Sequence, residues 1–63
     1  MIEVGKLYVN NASIADIVKV SCIERDDGEQ VVMFTRYGRD SMFSLPIMDF
    51  TTRFTILPHH GNE

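Results

Sequence analysis

The sequence predicts a mainly β domain: a small antiparallel β-barrel with one short helical turn before its last strand. Three observations carry this expectation. Residues 16–24 and 30–36 alternate along the chain with the two-residue period of a strand, and their Val, Ile, Phe and Thr side chains suit a pleated surface. Asp26-Asp27-Gly28 lies between them and reads as a tight turn. Pro46 then interrupts the strand pattern and introduces helical spacing at Ile47, Phe50 and Phe54.

The elements follow in order. Residues 6–9 form a short extended piece after Gly5, and Asn10-Asn11 marks a turn because Asn tolerates left-handed backbone. Residues 12–15 suit one loose helical turn. The first long strand, 16–24, places Val18, Val20 and Cys22 on one face and Ile17, Lys19, Ser21 and Ile23 on the other. The second, 30–36, places Val32 and Phe34 on one face and Val31, Met33 and Thr35 on the other. A three-residue loop with Gly28 in the left-handed position pairs Arg25 with Glu29, Cys22 with Val32, and Val20 with Phe34. The same count sets Ile23 opposite Val31 and Ser21 opposite Met33.

Residues 37–40 make the next turn and 41–45 a short strand that ends at Pro46, which cannot donate to a ladder. Ser44 is placed to cap the helical turn, and Asp49 sits near its positive end. Residues 54–57 return as a closing strand stopped by Pro58, and 59–63 read as a flexible tail. Residues 1–58 are thus one domain. Strand, long hairpin, short strand, helical turn and closing strand is the order of an SH3-like barrel, and closure removes exposed edges. An open curved sheet packed on the helix at 46–53 is the alternative.

Composition narrows the function. A chain of 63 residues buries only about 60% of the surface it exposes when unfolded, which leaves little room for a deep cleft. Cys22 is the single cysteine, so no disulfide forms within the chain, which suits a reducing cytoplasm. The net charge of −3 and pI near 5.2 disfavour non-specific nucleic-acid binding, which rests on phosphate neutralisation. No apolar run reaches membrane-span length, and the first residues lack a signal-peptide pattern. The expected compartment is the cytoplasm of a bacterial host.

The pattern resembles the short proteins encoded by phages and prophages. The resemblance rests on Gly5 and Tyr8, the hairpin from Val18 to Phe34, the Arg36-Tyr37-Gly38 turn, Pro46, Phe50 and Phe54. It spans most of the chain and implies a non-catalytic accessory protein that binds and modulates a host or phage protein. A second similarity is to KOW and Tudor-type barrels, which contact nucleic acid or peptides. This chain has no Gly between Gly5 and Val18, where the KOW pattern wants one.

Two groups of residues are candidate contacts. Arg36, Tyr37 and Arg39 set two guanidinium groups beside an aromatic ring, a combination that clamps carboxylates or phosphates and stacks on bases. The plainer reading is a turn whose arginines pair with Asp40 or Asp49. Ile23, Val31 and Met33 make the second hairpin face more apolar than solvent requires, which fits docking, self-association to a homo-oligomer, or cover by the chain's own terminal elements. A small nucleic-acid-binding barrel and a self-assembling structural module are the alternative functions.

No cofactor, metal site or catalytic residue is expected. The acidic turn of Glu24, Asp26, Asp27 and Glu29 lacks the alternating ligands of a calcium loop and reads as solvated. Cys22 reads as a small core hydrophobe with no activating base at a telling spacing. His59-His60 lack further ligands. Ser41 and Ser44 have no nucleophile-elbow context, and no acid, base and nucleophile converge.

Overall fold

Alternating residues and turn chemistry build a single antiparallel sheet. The computed structural model describes residues 1–58. Its elements are β1 (Leu7–Asn10), β2 (Ser13–Asp26), β3 (Glu29–Arg36), β4 (Met42–Pro46), α1 (Ile47–Arg53) and β5 (Phe54–Ile56). The five strands lie in the order β4-β3-β2-β1-β5. β4 and β5 are its edges, and among the described residues no ladder joins them. The sheet is therefore not closed into the expected barrel. The reason lies in α1, whose Phe50 fills the gap and stacks on Phe54 with ring centroids 4.6 Å apart.

One face of the sheet is buried. Tyr8, Val18, Val20, Val32, Phe34, Phe50 and Phe54 form the core, with Ile2, Ile23, Leu45 and Ile47 packed against it. Phe34 meets Phe50 at 5.3 Å and Phe54 at 5.6 Å, and Tyr8 meets Phe50 edge-on at 5.2 Å. Four rings of about 150–250 Å² each supply much of the burial that so short a chain can muster. The buried Tyr8 hydroxyl accepts the Glu3 N–H at 2.9 Å, so its polar end is satisfied.

The hairpin turn differs from the three-residue loop expected. Asp27 has φ 55° and Gly28 φ 81°, so both central residues are left-handed, as a two-residue type I′ turn demands. Asp26 therefore pairs with Glu29, Arg25 with Gln30, Glu24 with Val31, Ile23 with Val32, and Cys22 with Met33. A bulge between Val20 and Cys22 absorbs the shift, and Val20 pairs with Phe34 as expected. The bulge reverses the sides near the tip. Ile23 packs against the core, whereas Cys22 is half-buried on the opposite face, not in the core.

Residues 12–15 are not a helical turn. β2 begins at Ser13, after Asn10 Oδ1 accepts the Ala12 N–H at 2.8 Å and closes the β1–β2 turn. Pro46, not Ser44, occupies the N-cap of α1, and no side chain caps it. Asp49 lies in the first turn and Arg53 in the last, the favourable polarity for the helix dipole. The far end of α1 is tied down by Asn11. Its backbone N–H donates to the Arg53 carbonyl at 2.8 Å, and its Nδ2 donates to the Thr52 carbonyl at 3.0 Å. No helix among the described residues is long and apolar enough to cross a membrane.

Candidate binding surface

Arg36 ends β3 on the same side as Val32 and Phe34, at the rim of the core. The Tyr37 N–H donates to the Ile17 carbonyl at 2.8 Å, carrying the β2 pairing one residue past the strand. The chain then reverses, with the Arg39 N–H donating to the Arg36 carbonyl at 2.9 Å and Gly38 at φ 81°. A type II turn requires that conformation at its third position, where glycine adopts it without strain.

The Arg36 side chain is held from two sides. Its Nη1 donates to Asp16 Oδ1 at 3.0 Å, and its guanidinium carbon lies 4.9 Å from the centre of the Phe43 ring. Phe43 in turn stacks on Phe34 at 6.0 Å. Asp16 Oδ2 accepts from Asn10 Nδ2 at 2.9 Å, so the carboxylate is fixed as well. The pair is half-exposed, which keeps its own contribution to stability at about 0–1 kcal/mol. Its effect is positional: one face of the guanidinium lies on Phe43, and the N–H groups not used by Asp16 are oriented without further loss of rotamer freedom.

Asp16, rather than Asp40 or Asp49, is thus the partner of Arg36. Ala15, Asp16, Ile17, Arg36, Tyr37 and Arg39 line a groove of about 420 Å³. Tyr37 is 71% exposed, and Arg39 is exposed with no ion pair among the described residues. Two guanidinium groups against one carboxylate leave the groove with an excess positive charge in an otherwise acidic chain.

The structure brings Arg36, Tyr37 and Arg39 together but separates Ile23 from Val31 and Met33. Ile23 lines a different groove of about 470 Å³ with Ile2, Gln30, Ile47 and Thr51. Val31 and Met33 stay half-buried on the opposite face of the sheet, alternate to the buried Val32 and Phe34. The three do not form one patch, because the bulge turns Ile23 inward.

Sequence reasoning missed Asp16, Asn10 and Phe43. A signal for Asp16 was present. Setting Val20 opposite Phe34 also sets Val18 opposite Arg36, and Asp16 lies two residues on along the same face, within diagonal reach of a long side chain. Phe43 carried no such signal, because its position depends on the β3–β4 register.

Cys22 lies beside Glu24, with its Sγ 3.8 Å from Glu24 Oε2. Partial desolvation, the Glu24 charge and this hydrogen bond all push the thiol pKa up, the opposite of activation. No group of three or more His, Cys, Asp or Glu among the described residues is placed to hold a metal ion. The histidines at 59 and 60 lie outside the described residues. Comparison with known proteins matches no family model, no curated protein and no solved structure.

Proposed function

We propose that this chain is a non-catalytic binding module of SH3-like type, an accessory protein of phage character that binds and modulates a host or phage protein. The groove at Arg36, Tyr37 and Arg39 is its contact surface. The observation that supports it most is the immobilised Arg36, pinned by Asp16 at 3.0 Å and seated on Phe43 beside an exposed Tyr37. Arg and Tyr dominate interface hot spots, and a pre-positioned guanidinium loses less entropy on binding. The excess positive charge suits an acidic peptide segment, whose carboxylate would meet Arg39 and the free edge of Arg36. The SH3-like reading rests on the strand order, on the helix before the last strand, and on Phe34 and Phe54 meeting across the open side of the sheet.

Pull-down from bacterial lysate with the wild type and an Arg36→Ala/Arg39→Ala double variant tests this reading. A protein captured at physiological salt by the wild type alone is the expected result. Equal capture by both baits overturns the groove assignment. Capture of oligonucleotide instead, weakening steeply as salt rises, replaces it with the nucleic-acid reading.

A further inference from the structure

β4 is an edge strand whose one guard is Pro46 at its end. Residues 42–46, Met-Phe-Ser-Leu-Pro, carry no charge, and Met42, Phe43 and Ser44 are exposed. Edges are normally blunted by charge, brevity or cover. The β5 edge is only three residues long and is followed by Pro58, and the free side of the hairpin tip carries Glu24, Arg25 and Asp26.

Ladder geometry identifies which β4 groups are free. The Tyr37 N–H bond to Ile17 makes Val18 and Arg36 a wide, non-hydrogen-bonded pair. Alternation then points the backbone of Thr35 at β2 and that of Phe34 at β4, so Phe34 and Phe43 exchange bonds. Met42 and Ser44 must therefore aim their N–H and C=O groups away from the sheet. β4 has no neighbour on that side, and no turn or loop bond among the described residues uses these groups. Pro46 also points outward, where its missing N–H is harmless.

We propose that β4 pairs antiparallel with β4 of a second copy of this chain, about a two-fold axis at Phe43. In that register Met42 faces Ser44 of the second copy, and Ser44 faces its Met42. All four free N–H groups and all four free carbonyls of the two copies belong to these two hydrogen-bonded pairs. The Phe43 side chains meet at the central wide pair, where cross-strand neighbours are closest. Sliding the axis to Ser44 would set Met42 against Pro46, which has no N–H to give, so Pro46 selects the Phe43 register. The interface meets the groove only where Arg36 lies on Phe43, and it does not involve Tyr37 or Arg39. With only two hydrogen-bonded residue pairs it is a weak dimer, with a dissociation constant of about 10 µM to 1 mM.

Sedimentation velocity from about 10 µM to 1 mM tests the pairing over that affinity range. The expected result is a mass rising from one copy towards two, with Met42 and Ser44 amides gaining hydrogen-exchange protection as concentration rises. Ser44→Pro removes an outward N–H at a position where an edge strand tolerates proline. It should stay monomeric throughout, with a β circular-dichroism spectrum unchanged. Met42→Pro removes the other outward N–H and serves if Ser44→Pro does not fold. The Arg39→Ala variant, which leaves Arg36 on Phe43, should still dimerise. A wild type that remains monomeric at the highest concentration overturns the proposal. So does a dimer that survives loss of either N–H, or protection that appears only when an extended peptide of another protein is added.

Discussion

The two ends of the β2–β3 hairpin follow different rules. At its root, Val18, Val20 and Phe34 sit in the middle of the sheet, with β1 on one side and β4 on the other. Their side chains are buried among Tyr8, Phe50 and Phe54. At its tip, β1 has ended, since Gly5 donates to the Val20 carbonyl and the chain before it makes no further ladder. Residues 24–30 are all exposed. Packing fixes the root, whereas the tip is set by backbone conformation, supported by a bond from Arg25 Nη1 to the Gly28 carbonyl at 3.3 Å. The bulge at Ser21 is where one regime hands over to the other.

The largest effect should come from the root. Phe34→Ala removes a ring in contact with three others, at a cost of about 3–5 kcal/mol. A domain of this size holds only about 3–9 kcal/mol in total, so thermal melting should show it largely unfolded. Gly28→Ala at the tip should cost about 1–2 kcal/mol through the left-handed backbone alone, since nothing lies within 4 Å of the added methyl. A denaturant midpoint measures it, and a cost as large as that of Phe34→Ala would erase the contrast between the two ends.

Deleting Ser21 addresses the junction. It leaves Val20, Cys22 and Ile23 in plain alternation and matches the tip register that the type I′ turn sets. The variant should fold with stability changed by about 1 kcal/mol or less, with Asp26 still opposite Glu29 in cross-strand nuclear Overhauser contacts. A tip register shifted by one residue would show that the bulge, not the turn, sets the pairing. The smallest effect concerns Cys22. Its raised thiol pKa lowers the thiolate fraction at any given pH, so iodoacetamide should alkylate it more slowly than an unstructured cysteine peptide at pH 8. Glu24→Gln removes the charge and should speed the reaction. No change would mean that desolvation alone holds the thiol up.

The order of elements along the chain and much of the core were legible in the sequence, because Val18, Val20, Val32 and Phe34 alternate and Pro46 and Phe50 mark the helix. The tip was not. Asp26-Asp27-Gly28 permits both a two-residue and a three-residue loop, and the choice moves every side chain beyond it to the other face. Two misplacements, Cys22 into the core and Ile23 out of it, come from that one choice. Ser21 gave no warning, because a bulge needs no particular residue there. Arg36, Tyr37 and Arg39 were found as neighbours in one turn. Asp16 and Phe43, which hold Arg36 in place, come from two other strands, and only tertiary register brings them together.

Asn11 holds two backbone carbonyls at the end of α1, and its Oδ1 accepts the Thr55 hydroxyl at 2.6 Å, a contact spanning 44 residues. β1 is likewise flanked by β2 and by β5, which follows α1. During synthesis the first strand therefore lacks its second neighbour until residues 54–56 have left the ribosome. A nascent chain stopped before Phe54 would present one open flank of β1, and an interrupted translation product of this gene should be a substrate for proteolysis rather than a smaller working version of the domain.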